Sequence, residues 1–313
     1  MGSFNTDTAA IQLNNLNKTY GKKRGVKNLN LQVDKGEIFG FIGPNGAGKS
    51  TTIRMLLQLI TPTSGELSIL GQKIEGDNPD LRSRIGYLPS EINLYPDMTG
   101  HQILELSARI RGVDLGESLI PEYITRLQLD TKSRFKSYSL GNKKKLGILL
   151  TLLHEPELLI LDEPTSGLDP LVQLQFFEIL KELNERRGTT VFFSTHILTE
   201  VEKLCNRVAI IRDGELIRVS SISDLTTDGD HFFEFKCISH GDFRLEYGLF
   251  NIDPNTTYTD GVYRLRATDD NFLPLLRTLG NKPIKDLNVR RLTLEERFMY
   301  EYRLARNSEG TGG

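Results

Sequence analysis

Apolar residues in this chain switch repeatedly between unbroken runs and helical spacing. Ile38-Phe39-Gly40-Phe41-Ile42 is an unbroken run, the pattern of a strand buried on both faces. Ile53, Leu56, Leu57 and Ile60 follow at i, i+3, i+4 and i+7, one face of a helix that Thr61-Pro62-Thr63-Ser64-Gly65 stops. Ile85-Gly86-Tyr87-Leu88 reads as another strand. Ile103, Leu106 and Ile110 then restore the helical period within a helical stretch over 98–135, and Leu146, Leu149, Leu150 and Leu153 mark a further helix. Leu158-Leu159-Ile160-Leu161 is a fully apolar strand. Phe176, Ile179, Leu180 and Leu183 mark a helix closed by Arg186-Arg187-Gly188, cations in the last turn with a glycine beyond it. Val191-Phe192-Phe193 is the next buried strand. This alternation, from Ile11 to about Ser221, predicts an α/β fold with a helical insertion over about 91–153.

Past Ser221 the pattern changes. Asp224 to Asp230 is polar and turn-rich and reads as a linker. His231-Phe232-Phe233-Glu234-Phe235-Lys236-Cys237 partly alternates, as does Tyr263-Arg264-Leu265-Arg266, the spacing of half-buried strands. Thr293-Leu294-Glu295-Glu296 is a capping box, after which Leu294, Phe298 and Tyr302 share one helix face. The expected organisation is a flexible lead-in (1–10), an α/β domain (11–222), a small α+β appendage (223–305) and a disordered tail (306–313). No internal repeat is present.

Composition narrows the classes. Of 313 residues, 38% are hydrophobic and 26% charged, which suits a globular chain with a sizeable core; the net charge of −2 gives no electrostatic reason to expect a nucleic-acid partner. No stretch approaches the ~18 consecutive apolar residues of a membrane span, and Met1 to Asp7 lacks the basic and apolar regions of a secretory signal. Cys205 and Cys237 have no metal-ligand spacing and are expected as free thiols.

The candidate chemistry begins where the first strand meets the first helix. Gly43-Pro44-Asn45-Gly46-Ala47-Gly48-Lys49-Ser50-Thr51 is a glycine-rich turn in that position, so its backbone N–H groups and the helix dipole converge on one concavity, a socket for a polyphosphate. Lys49 reaches the β/γ-phosphates in such a loop and the Ser50 hydroxyl ligates magnesium. Asp162 and Glu163 follow the apolar strand ending at Leu161. Carboxylates at the end of a parallel strand project towards the phosphate loop at the switch point of the sheet. Asp162 is thereby placed for the magnesium shell and Glu163 to polarise a water for attack on the γ-phosphate.

The order of motifs resembles the nucleotide-binding subunit of an ABC transporter over about residues 11–221. The resemblance rests on the phosphate loop; on Ser139-Leu140-Gly141-Asn142 as the family signature in a Leu-Gly variant; on Leu158 to Glu163; on Ser166-Gly167-Leu168-Asp169 as the loop that crosses the dimer interface; on His196 in Ser194-Thr195-His196; and on Tyr20 with Val26 beside it. It implies an ABC cassette of the P-loop NTPase class, a RecA-like core with a helical subdomain, carrying a small C-terminal appendage. It implies ATP and Mg2+ as cofactors, Tyr20 stacked on adenine, His196 as the switch histidine, and an ATP-dependent homodimer in which Ser139, Gly141, Asn142 and Asp169 of one copy face the nucleotide of the other. Lys143, Lys144 and Lys145 lie in the first turn of the signature helix, against its dipole. They read as a solvated basic face or as a site that a γ-phosphate from the second subunit relieves. The run Gly86 to Pro89 with Leu94 to Thr99 is most similar to bacterial exporters of drugs, antibiotics or polysaccharide. That implies an ATPase subunit at the cytoplasmic face of the membrane, docked through residues 91–115 to a permease on a separate chain. Ser90 stands where the family carries a glutamine linking the magnesium site to the membrane partner, which leaves Glu91 or a water to make that link. The alternative class is a soluble ABC ATPase acting on ribosomes; those chains usually carry two cassettes, and this one has one phosphate loop.

Overall fold

The structure is a computed structural model that describes residues 8–21, 23–227, 231–237, 248–280, 282–291 and 296. It divides into two units, 1–221 and 222–313. In the first, β1 (Ala9–Tyr20) and β2 (Lys23–Asp34) form a long hairpin, followed by β3 (Ile38–Ile42), α1 (Lys49–Leu56), β4 (Ser64–Ile69), β5 (Gln72–Lys73), α2 (Pro79–Ser83) and β6 (Ile85–Leu88). Then come three helices, α3 (Gly100–Arg111), α4 (Ile120–Arg126) and α5 (Leu140–Leu152). The unit closes with β7 (Leu158–Asp162), α6 (Pro170–Arg187), β8 (Thr190–Thr195), α7 (Leu198–Leu204), β9 (Arg207–Arg212) and β10 (Glu215–Ser221).

Two sheets result. One is antiparallel, in the order β2-β1-β4-β5; the other, β10-β9-β3-β8-β7-β6, is parallel except for β10. The apolar runs at 38–42 and 158–161 lie in β3 and β7, buried at every position. One buried cluster joins Phe39, Phe41, Ile160 and Phe192 of the parallel sheet to Ile53 of α1 and to Leu13 and Leu31 of the antiparallel sheet. Register then positions the site: Ile42 pairs with Thr195 and Asp162 with Ser194, so three parallel strands end together and release Gly43, Glu163 and His196 on the same edge.

Four helices of this unit are closed at their N-termini by side chains. Asn78, Thr99, Ser139 and Asp169 cap α2, α3, α5 and α6, and Thr99 makes a reciprocal capping box with Gln102. The N-terminus of α1 has no side-chain cap, and Gly48 at its N-cap sits at φ 108°, where a side chain would be strained.

Three local expectations are corrected. β1 begins at Ala9, inside the lead-in; Ala9 and Ala10 are buried, and the Ala10 carbonyl accepts a bond from the Leu70 amide at 2.8 Å. In α3 the buried face runs through Gly100, Ile103, Leu104 and Ala108, turned away from the line through Leu106 and Ile110; Ile110 is 77% exposed. The polar stretch after Ser221 contains a short helix, α8 (Ile222–Thr227), with Leu225 as its buried apolar residue.

The second unit continues with β11 (His231–Cys237), α9 (Leu249–Ile252), β12 (Thr257–Thr259), β13 (Val262–Ala267), α10 (Asp269–Gly280) and β14 (Ile284–Arg291). Its antiparallel sheet runs β12-β13-β11-β14. Alternate residues Phe233, Phe235, Tyr263 and Leu265 bury one sheet face with Leu275 and Leu279 of α10. Residues 1–7, the capping box and helix face through Tyr302 (Glu296 excepted), and the 306–313 tail lie outside the described residues. Cys205 and Cys237 are free thiols.

Candidate functional site

The uncapped start of α1 opens onto a cleft of about 700 Å³. Tyr20, Asn45, Gly46, Gly48, Lys49, Ser50, Thr51, Asp162, Glu163 and His196 all line it, which brings ten of the sequence-derived site residues together. The unpaired amides of the first turn of α1 point along its axis, and Gly48 adds no side chain to obstruct them. Lys49 is buried; its Nζ donates to Gly43 O at 2.6 Å and Pro44 O at 3.3 Å and stands 3.5 Å from Glu163 Oε1. A cation held by the loop's own carbonyls is aimed at the place where the loop can receive phosphate oxygens.

Two carboxylates close the opposite side. Asp162, 4% exposed, accepts from Ser50 Oγ at 3.2 Å and Ser194 Oγ at 3.4 Å. Burial pushes its carboxyl above the ordinary range and the charge of Glu163 adds to the push, while the Ser50 and Ser194 bonds and Lys49 pull it back. A divalent cation fits here: the Ser50 hydroxyl and the Asp162 carboxylate are hard oxygen donors side by side, and its charge would offset the cost of keeping Asp162 ionised. Glu163 sits at the bend after β7 with φ 49°. Its amide donates to Ser194 O at 2.9 Å, and its Oε2 lies 2.7 Å from His196 Nδ1. The carboxylate is thus oriented from two sides, by His196 and Lys49, as a base that activates a water needs to be.

The remaining site residues are placed elsewhere. Val26 and Ala47 are buried and do not line the cleft; a Cβ on Gly48 would stand 3.3 Å from Val26 Cγ2, so Val26 supports the loop from beneath. Ser139 caps α5 by accepting from the Asn142 amide at 3.2 Å, and Asp169 caps α6 through the Val172 amide at 3.0 Å. These two caps adjoin: a Cβ on Gly141 would stand 2.6 Å from Gly167 O. Ser139, Gly141, Asn142 and Asp169 do not line the cleft of their own chain.

Some residues of the site escaped the sequence reading. Ser166 lines the cleft, though only Asp169 was singled out from its loop; Gly25, beside Tyr20, lines it too. The basic run 143–145 is not a solvated face: Lys144 is 1% exposed and Lys145 is buried, while Lys143 lies over the Phe135 ring at 5.1 Å. Nor does Lys144 reach towards a phosphate from outside, because its ammonium is turned inward onto carbonyl oxygens. The available signal was its position in a first turn, where cations are disfavoured.

Comparison with known proteins agrees with this geometry. The family pattern for ABC transporters matches residues 26–166. The bacitracin transport ATP-binding protein BcrA of Bacillus licheniformis is 38% identical over 258 residues, 82% of this chain and 84% of its own length. The linearmycin resistance ATP-binding protein LnrL of Bacillus subtilis is 40% identical over 220 residues, 69% of this chain and 70% of its own. Among solved structures, an ATP-binding subunit of an ABC transporter superposes with a TM-score of 0.64 at 31% identity, covering 69% of this chain and 91% of its own. The cassette MJ0796, solved as a dimer in a post-hydrolysis state with ADP and Pi, superposes with a TM-score of 0.62 at 29% identity, covering 68% and 98%. With the phosphate loop, the paired carboxylates and the histidine assembled in one cleft, and with relatives spanning most of its length, this chain belongs to the ATP-binding, ATP-hydrolysing proteins of the ABC transporter family.

Proposed function

We propose that two copies of this chain close on two ATP molecules with magnesium and thereby drive a permease on a separate chain, as an exporter at the cytoplasmic face of the membrane. Ser50 and Asp162 hold the magnesium, which supplies charge neutralisation at the phosphates. Tyr20 carries the adenine, Lys49 the β/γ-phosphates, and Glu163, oriented by His196, activates the attacking water. The observation that carries this reading is the division of the site: the phosphate loop, carboxylates and His196 share one cleft, whereas Ser139 and Gly141 do not line it. A second copy brings its signature to the open side. The segments that would meet it expose apolar residues near their polar ones: Leu140 next to Ser139 (59% exposed), Leu171 two residues after Asp169 (70%) and Ile197 next to His196.

A second cavity, of about 370 Å³, supports the permease part. Ile92, Leu94 and Leu150 form its apolar wall, with Glu91, Arg111 and His154 as polar groups. Burial and the neighbouring Arg111 push His154 down to about 4, so it enters as a neutral ring. Helix α3, which lends Ser107 and Arg111 to the groove, also exposes Leu106 and Ile110. An apolar helix of a membrane partner suits such a surface. No helix among the described residues is long and apolar enough to cross a membrane itself. Relatives named for bacitracin transport, linearmycin resistance and Nod factor export favour an exporter over a ribosome-acting ATPase. Residues 9–221 are the ATPase domain in this scheme, with 91–153 as its helical subdomain and the unit after Ser221 as an appendage.

The test is Glu163→Gln. It is expected to keep ATP binding, to lower turnover on the order of a hundredfold or more, and to accumulate an ATP-dependent dimer in light scattering. Adding Ser139→Arg should remove that dimer while the monomer still binds ATP. Unchanged turnover in the first variant, or a normal dimer in the second, overturns the assignment. Affinity capture from detergent-solubilised native membranes then tests the partner: a polytopic protein in equal amount is expected, and ribosomal proteins in its place would overturn the permease reading.

A further inference from the structure

Lys144 is a buried cation that the cleft chemistry leaves unused. From the first turn of α5 its Nζ donates to Ser90 O at 2.7 Å, Pro89 O at 3.2 Å and Glu163 O at 3.2 Å. An ammonium has three donors, and here each meets a carbonyl. The arrangement is costly. Burial pulls the lysine below its ordinary range, offset in part by the charges of Asp162 and Glu163. The first turn of a helix opposes a positive charge, and ordering a long side chain costs entropy. Local rules broken at this cost, directly behind a reacting group, are characteristic of functional positions.

The three acceptors indicate what the bonds achieve. Pro89-Ser90-Glu91 runs between the two cavities: Ser90 and Glu91 line the nucleotide cleft, and Pro89 and Glu91 line the groove. Helix α5 lends Gly147, Leu150 and Thr151 to that same groove. A Cβ on Gly147 would collide with Ile92, so the α5 backbone and the segment after Glu91 are in direct contact, backbone to side chain. The remaining acceptor belongs to Glu163. This residue is outside the strand conformation at φ 49°; Ser194 O holds its amide, and Lys144 holds its carbonyl. The bend that aims the carboxylate is therefore pinned on one side by the parallel sheet and on the other by α5.

We propose that Lys144 is a positioning residue: bonded from α5 to the carbonyls of Ser90 and Glu163, it holds Glu163 in its reacting pose and carries movement of the groove wall to it. Its bond to Ser90 O makes the connection at residue 90 through the backbone rather than a side chain. The holding of Glu163 stands on the bonds alone; the part played by the groove rests on the permease reading above.

Steady-state ATPase kinetics of the full-length chain test the holding, with fluorescent-ATP binding and thermal melting alongside. Lys144→Met, of similar length but without donors, is expected to lower kcat at least about tenfold while KM and ATP affinity stay within twofold of wild type. Lys144→Gln, which returns two donors without charge, should recover most of the lost kcat. A wild-type kcat for Lys144→Met overturns the proposal. So does a parallel loss of melting temperature, ATP affinity and kcat that Lys144→Gln fails to relieve, since that pattern marks a purely structural lysine. If Lys144→Met does not fold, Lys144→Gln decides through its own kinetics: a kcat a few-fold low at unchanged KM supports the proposal, and a loss confined to KM overturns it. With the permease bound, Lys144→Met should also abolish stimulation by transport substrate. Stimulation equal to wild type overturns the groove link and leaves the permease reading standing, whereas failure to find any permease removes that reading and leaves the kinetic result intact.

Discussion

The first unit buries several charges, and Glu200 shows how such a charge is made tolerable. Its carboxylate, 3% exposed, accepts from Thr165 Oγ1 at 2.6 Å, Gln173 Nε2 at 2.8 Å and Thr195 Oγ1 at 2.8 Å. Thr165 follows Glu163 by two residues, Gln173 lies in α6 behind Asp169, and Thr195 ends β8 directly before His196. Thr195 Oγ1 in turn accepts from the Ile197 amide at 3.0 Å. One side chain thus ties together three segments that carry site residues, and several donors are what a buried carboxylate requires. Glu200→Ala strands two hydroxyls in the interior, and its expected cost is about 3 kcal/mol in chemical denaturation. A cost below about 1 kcal/mol would show that water replaces the carboxylate there. Glu200 carries no sequence signal of this role: its spacing within α7 is that of any helical glutamate, and two of its three donors, Thr165 and Gln173, lie 35 and 27 residues before it.

At the scale of elements, caps and periods were legible and faces less so. Helix α6 ends at Gly188 in the left-handed region with Arg186 and Arg187 in its last turn, as its sequence demands. Helix α3 exists where its period places it, but its buried face is set by the partners it meets, which turns Leu106 and Ile110 outward. The polar stretch after Ser221 folds into α8 because one leucine, Leu225, is buried there, and polarity alone did not reveal it. At the junction of α5 with the loop before α6 the backbones approach closely, Gly141 against Gly167 O, beside a tight contact of Gly167 with Leu140. A methyl group 2.6 Å from that carbonyl forces one element to move. Gly141→Ala is therefore expected to leave ATP affinity at the phosphate loop within twofold of wild type while reducing turnover about tenfold or more, because Ser139 and Asp169 no longer keep their mutual placement. Calorimetric ATP binding beside an ATPase assay checks this; wild-type turnover would show that the two caps act independently.

For the whole molecule, the division into 1–221 and 222–313 has a direct consequence. All residues of the nucleotide cleft, and both sheets that hold them, belong to the first unit. Solved cassettes cover 68% or 69% of this chain yet 91% or 98% of their own, so they need no counterpart of the rest to fold. A fragment of residues 1–221 is expected to unfold in one cooperative transition and to bind ATP within about threefold of the full chain. A fragment that fails to fold would make the second unit part of the core rather than an appendage. By itself the sequence determined the α/β alternation, the phosphate loop, the strand-end carboxylates and the histidine, because each depends on neighbours a few residues away: a strand, a glycine turn and a helix start are local events, and parallel register then aligns their ends. Tertiary structure alone decided that Val26 packs beneath the loop and that Ala47 within it is buried, that Ser139 and its neighbours stand outside their own chain's cleft, and that Lys144 turns inward. The acceptors of Lys144 lie 54 and 55 residues before it and 19 after it. No local period encodes a bond across such distances; packing of α5 against the segment at 89–92 creates it.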